Sequence, residues 1–379
     1  MAMRLAMIID ENRFKKTIIL FFAAFLVYLA GFFPGFVEKW YALGFYPLFA
    51  AFLRFCFGWL PFSVGDLLYG LLGGWLLVVL IRWFRSVGRK GISVAGSMVI
   101  LGKLFRFACA AYLVFYLFWG LNYNRLGITL QLSAPRAPYS RKEITALTRE
   151  LIAQANASRR ALKDTLLPEP DIREIFDRAA RGYRLLEPAF PFLRYHRPSV
   201  KPSLYNAIAD YVGFTGYYAP LTGEAQVRTD LPRVMLPFIT SHEMAHQLGY
   251  ASESEASFVG YLAATASKDP YFCYSAYLDL LGYAQGQEFL LYAKENSYTE
   301  YESVLAGHRS LLDSLVIKDR KMIREFFLQR QNRVAPVSSD LYDQFLKWNK
   351  QLAGINSYDE VISWLIAYKK KYGSISFRE

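Results

Sequence analysis

Three stretches in the first third of the chain carry no charged residue: Thr17–Phe36, Leu67–Ile81 and Phe107–Tyr123. The first has 20 residues, enough to cross about 30 Å of hydrocarbon as a helix. The second is shorter, but Phe62–Gly65 before it and Trp83–Phe84 after it extend it. The third is reached through Lys103 and Arg106. Trp83, Trp119 and Tyr123 stand near the ends, where rings with a polar edge anchor at headgroups. Buried helices of soluble proteins rarely lack every charge over such lengths. The chain is therefore expected to open with a membrane anchor, residues 1–121, crossing at about 17–36, 64–84 and 104–123. The first span reads as uncleaved, because Phe33-Pro34-Gly35-Phe36 is bulky and no small-x-small site follows it.

Orientation follows from the basic residues. Arg4, Arg13, Lys15 and Lys16 precede the first span, and Arg82, Arg85, Arg89, Lys90, Lys103 and Arg106 lie between the second and third. Only Lys39 and Arg54 lie between the first and second. This bias places the N-terminus and the second connection in the cytoplasm, and three crossings put residues 122–379 outside. The connection Glu38–Asp66 is itself apolar but interrupted by Pro47, Arg54 and Pro61, which predicts a re-entrant or interfacial segment. A fourth crossing there would reverse the domain.

The net charge of +12 belongs mainly to the anchor. Residues 1–121 hold 12 of the 44 Lys/Arg and 4 of the 32 Asp/Glu, a balance of +8. The remainder is nearly neutral for its size, so no nucleic-acid partner is expected and the lipid bilayer is. Of three cysteines only Cys273 lies beyond the anchor, so residues 122–379 form no internal disulfide, and no spacing suggests a structural metal knuckle.

Beyond a Pro-containing linker at Leu130–Ser140, Ser140 and Glu143 read as a capping box ahead of Ile144, Leu147 and Leu151, one face of a helix. Asp171–Glu187 repeats the pattern. Between Pro198 and Pro232 the texture turns to Gly, Tyr and Thr with short extended runs such as Gly223–Thr229, and from Leu236 it is helical again. Asp279, Gln285, Gln287 and Glu288 make Tyr271–Ala293 a half-buried helix rather than another span. A mostly helical α+β domain is expected.

Its chemistry centres on Ser241-His242-Glu243-Met244-Ala245-His246-Gln247-Leu248-Gly249-Tyr250. Residues four apart share a helix face, so His242 and His246 can aim both imidazoles at one zinc ion. Glu243 lies one step round, placed to take a proton from water rather than to bind the metal. A peptidase site needs a third protein ligand, and Glu253 and Glu255 follow directly once Gly249 allows a turn.

Here the sequence resembles the zincins, and the Glu-zincins in particular, whose third ligand is a Glu on the next helix in an E-x-x-A-[D/N] setting. The resemblance matches Glu253 to that ligand and Ala256 to the small residue, with Ser257 where Asp or Asn is usual; Glu255 is the alternate. The gap after His246 is nearer the metzincin spacing, but Ser252 stands at that motif's third His. The resemblance also implies a substrate strand at Gly223, Glu224, Ala225, Gln226 and Val227, acting as a sheet edge. For the proton donor to the oxyanion it implies Tyr217, Tyr218, Tyr250, His196 or His308. PFSVGDLLYG at 61–70, FWGLNYNR at 118–125, GYYAPLTGEAQV at 216–227 and HEMAHQLGYASESEA at 242–256 are similar to a bacterial membrane family, the domain of unknown function 3810.

The expectation is a zinc metallopeptidase acting on peptides or proteins at the outer face of the bacterial cytoplasmic membrane, its zincin-like domain facing the periplasm. The alternative is an inactive zinc-binding envelope scaffold, against which an intact Glu243 argues. A transporter would need more spans, and charges within them.

Overall fold

The computed structural model describes residues 2–90, 94–136, 138–163, 167, 169–354, 356 and 360–377. Gly91–Ser93, in the connection expected to be cytoplasmic, lie outside them. The chain divides into two compact units, Met1–Leu48 with Gly65–Leu126, and Phe49–Val64 with Gly127–Glu379.

Among the described residues three helices have the length and hydropathy to cross a membrane: Pro34–Phe57, Val64–Arg85 and Ile100–Phe118. The last two coincide with the second and third expected spans. They turn Leu71, Leu77, Phe84, Leu101 and Leu104 outward, a surface suited to lipid rather than water. The first expected span, Thr17–Phe36, is not a single helix. Its apolar run forms the end of helix Ala2–Ala30, a turn follows at Gly31–Phe33, and Pro34 opens a new helix. Proline has no N–H and fits a first helical turn, not an interior.

The connection Glu38–Asp66 is also less interrupted than its prolines suggest. A π-helical stretch, Val37–Phe45, runs into helix Tyr46–Phe57, with Pro47 in that helix's first turn. The wider π turn bonds the Tyr46 N–H to the Tyr41 carbonyl five residues back, so Pro47 begins a segment rather than breaking one. Buried Glu38 accepts from Arg125 Nη2 at 2.9 Å and from the Leu126 N–H at 3.0 Å.

The second unit packs its helices around one core. The capping box closes as expected: Ser140 Oγ accepts from the Glu143 N–H, and the Glu143 carboxylate from the Ser140 N–H, starting helix Arg141–Ala161. That helix buries Ile144, Leu147, Leu151 and Ile152, and Ile172–Leu186 buries Ile175, Ala179, Tyr183 and Leu186, the spacings of one helical stripe. Helix Pro270–Lys294 lines the same core. On it, burial pushes the Asp279 carboxyl from 3.8 to about 7. The unfolded chain ionises first, so stability is lost as pH rises from about 4 to 7 and then levels off. Asp279→Asn is therefore expected to leave stability unchanged near pH 4 and raise it by ~1–3 kcal/mol above pH 7, as measured by chemical unfolding at both pH values.

Three short strands complete the α+β unit: β1 (Val200–Pro202), β2 (Gly216–Ala219) and β3 (Glu224–Val227), in the order β1-β3-β2. β1 runs parallel to β3 and β2 antiparallel to it. The stretch Gly223–Val227, expected to be a sheet edge, is therefore the centre of the sheet. All of β3 is buried, and its backbone is engaged on both sides, so it has no free edge for a peptide.

Candidate metal centre

The helix Leu236–Gln247 is buried along its whole length. Its sequence is not amphipathic, and it sits between the sheet and the other helices rather than at the surface. It ends at Gly249, whose φ of 87° is a left-handed conformation that a side chain would strain. The Tyr250 N–H then bonds back to the Ala245 carbonyl, and the chain reverses into helix Glu253–Ala266. Gly260 lets the two helices touch, since a Cβ there would stand 2.8 Å from the His242 backbone nitrogen.

This packing gathers His242, His246 and Glu253, all buried, with one potential ligand atom of each within 4.8 Å of the others. Glu253 Oε2 stands 3.2 Å from His242 Nε2 and 3.4 Å from His246 Nε2. A tetrahedral cation with bonds of ~2.0–2.1 Å has donor–donor edges of ~3.3–3.4 Å, so these separations match two edges of such a site. The other ring nitrogens are occupied. His246 Nδ1 lies 2.7 Å from the Tyr250 carbonyl, which only accepts, so Nδ1 carries a proton and Nε2 is the nitrogen that would face a cation once the ring is neutral. His242 Nδ1 lies 3.1 Å from Ser257 Oγ. Ser257, where the zincin pattern has Asp or Asn, thus still supplies an orienting contact.

The electrostatics fit a cation site. Burial opposes ionisation of Glu253, but His246 and His242 more than offset it and hold the carboxyl well below its ordinary range. Burial likewise works against a charged His246, yet the Glu253 carboxylate beside it raises the imidazole to about 9. His242 is lowered, chiefly by burial. Glu243 is not part of the triad. Burial pushes its carboxyl up to about 8, with His246 opposing the rise and Glu253 adding to it. Its Oε2 is buried without a hydrogen-bond partner, and a Cβ on Gly216 of β2 would stand 2.5 Å from Oε1.

Two supports were not visible in local spacing. Tyr342, on helix Ala335–Trp348, donates from its hydroxyl to Glu253 Oε1 at 2.8 Å, and the Gln351 Oε1 accepts from the Glu253 N–H at 3.1 Å. Tyr342 lies 89 residues from Glu253, and no motif marks it among 27 tyrosines. Tyr342→Phe is expected to weaken metal affinity ~10–100-fold, measured by competition with a chelator of known affinity, with the unfolding midpoint of the metal-free chain little changed. Buried Arg54 caps the other end of the site helix. It donates to the Gln247 carbonyl at 3.2 Å and to those of Arg197 and His196 at 3.0 Å each. A cation at a helix C-terminus is favourable, and here it fixes the helix that carries both histidines.

The other expected site residues are placed elsewhere. Glu255, the alternate ligand, accepts from the Ile128 N–H at 3.0 Å and braces the turn at Gly127 instead of joining the triad. The Tyr250 hydroxyl is held by Gln131 Oε1 at 2.7 Å; only its carbonyl serves the site. His308 is buried against Glu288 at 2.9 Å, in a separate cluster that includes Thr145. His196 is exposed and contributes its carbonyl to Arg54. Tyr217 and Tyr218 lie on β2, whose Gly216 abuts Glu243, with the Tyr217 hydroxyl 3.0 Å from Ser203 Oγ.

A family model described as a protein of unknown function (DUF3810) matches residues 41–366. No curated protein and no solved structure matches the chain.

Proposed function

The chain belongs to the DUF3810 family, and we propose that it is a membrane-anchored zinc metallopeptidase acting on peptides or proteins at the outer face of the cytoplasmic membrane. The observation that carries this reading is the position of Glu243: a buried carboxylate beside the three metal-ligating side chains, outside their set, with one oxygen unpartnered. A metal held only for structure has no use for such a group, whose burial is costly.

His242, His246 and Glu253 would hold the zinc. When bound, zinc polarises a substrate carbonyl and makes water more acidic. Glu243 Oε2 accepts the proton of the attacking water and returns it to the leaving amine. His246 is kept in its ligating tautomer by the Tyr250 carbonyl, and Tyr342 and Gln351 fix the Glu253 carboxylate and its backbone. With β3 enclosed, an extended substrate pairs along the outer side of β2, whose Gly216 backbone lies against Glu243. Tyr217 or Tyr218 on that strand serves as proton donor to the oxyanion.

Orientation rests on the Lys/Arg bias. Counting the apolar end of Ala2–Ala30 as the first crossing, Val64–Arg85 and Ile100–Phe118 as the other two, and Pro34–Phe57 as interfacial gives three crossings and a periplasmic domain. The test of the whole reading is hydrolysis of an unstructured protein such as casein by the detergent-purified chain, abolished by a chelator and restored by zinc. A wild-type chain that holds zinc and cleaves nothing under these conditions returns the protein to the class of envelope scaffolds.

A further inference from the structure

The second unit carries an apolar face that its core does not use. Helices Asn206–Val212 and Ala335–Trp348 pack together, with Ser338 Oγ donating to the Tyr211 carbonyl at 2.8 Å and Asn332 Nδ2, just ahead of the second helix, to the Asp210 carbonyl at 2.7 Å. Outward from this pair point Leu204, Ile208 and Val212, each about half exposed. Beside them Val337, Leu341 and Trp348 are 60%, 68% and 80% exposed. Ile208 and Val212, like Val337 and Leu341, are four residues apart and share a helix face. Scattered exposed leucines need no account, but a contiguous set on two adjoining helices does.

What covers this face follows from its continuity with the membrane segment of the same unit. Phe49–Val64 belongs to this unit and holds the end of the membrane-length helix Pro34–Phe57, with Phe52, Phe55 and Trp59 exposed. β1 is tied to that segment, since Lys201 Nζ donates to the carbonyls of Gly58, at 2.8 Å, and Leu60. Two residues past the end of β1 the chain reaches Leu204, where the apolar face begins. The composition suits an interface: Trp348 has an apolar body and a polar N–H, and exposed Arg333 stands beside the helix to meet lipid phosphate.

We propose that the paired helices Asn206–Val212 and Ala335–Trp348 form a second lipid-contacting surface, which rests on the bilayer and presents the metal centre to membrane-proximal segments of its protein substrates. Both helices lead to the site. Tyr342, on the second, bonds the Glu253 carboxylate, and the first runs into β2, whose Gly216 abuts Glu243. The substrate clause rests on the peptidase reading; the lipid contact does not.

The test is tryptophan quenching in the full chain reconstituted into phosphatidylcholine vesicles, comparing wild type with Trp348→Phe so that the difference isolates one indole. Expected is loss of most of the Trp348 emission when the lipid is brominated on its acyl chains, with little effect of aqueous iodide. Leu341→Trp, a second exposed position, is expected to add emission quenched in the same way. Quenching by iodide and not by bromolipid overturns the proposal in favour of a water-exposed face. Quenching by neither overturns it in favour of a face covered by protein, a second copy included. These readouts need neither metal nor turnover, so a quenching result as expected from a chain that cleaves nothing would sink the peptidase reading alone.

Discussion

Zinc content of the detergent-purified chain is expected to fall from about one ion per chain in the wild type to background in His246→Ala, and to be lost or severely weakened in Glu253→Ala. His246 supplies Nε2 in a tautomer already set by the Tyr250 carbonyl, and Glu253 Oε2 is the donor common to both short separations in the site. Neither vacancy is filled by a neighbour, because Glu255 is committed to the Ile128 N–H. Glu255→Ala is therefore the discriminating control. It is expected to keep the metal and to lose ~1–3 kcal/mol of stability, since a buried backbone donor loses its acceptor. The metal itself adds to stability: at ~1,000 times the dissociation constant a ligand of the native state contributes ~4 kcal/mol, so chelation lowers the wild-type unfolding midpoint and leaves that of His246→Ala where it was. Elemental analysis and thermal unfolding with and without chelator read both effects. Zinc retained in Glu253→Ala and lost in Glu255→Ala would invert the ligand assignment.

The second large effect is on catalysis. Glu243→Gln is expected to lower the rate of peptide hydrolysis by ~10²–10⁴-fold while leaving zinc content at the wild-type level. The substitution keeps the size and most of the polarity of the side chain but removes the group that accepts the proton. Stability should not fall and is expected to rise slightly at alkaline pH. Burial holds the Glu243 carboxyl up at about 8 in the metal-free chain, so the folded protein pays for ionising it while the unfolded chain ionises near 4.5. That penalty grows as pH rises through this window, and glutamine lacks it. Loss of zinc together with activity in Glu243→Gln would instead make Glu243 part of the metal's binding set.

Much of this was legible from residue order. Charge-free runs marked the second and third membrane helices, because the length and polarity of a span are set by the hydrocarbon it must cross. The capping box at Ser140–Glu143 and the stripes at Ile144–Leu151 and Ile175–Leu186 correspond to the observed helices, since those patterns are contacts within one or two turns. Less was legible wherever proline met the membrane. Pro34 divides what reads as one apolar run, whereas Pro47 passes without interruption because a π turn precedes it, and composition alone does not separate the two cases.

The pairing of His242 with His246, and the place of Glu243 beside rather than among them, were determined by the sequence alone, because one helical turn fixes the relative directions of residues one and four apart. The tertiary structure set Glu253 and Glu255, two residues apart in the chain, in different surroundings: packing turns one to the histidines and the other to Ile128. It likewise placed β3 inside the sheet, brought Tyr342 to the Glu253 carboxylate from 89 residues away, and set Arg54 on the last carbonyl of the site helix. Partners so distant meet only when helices and strands pack, and the fit of whole surfaces that selects them leaves no repeat or spacing along the chain.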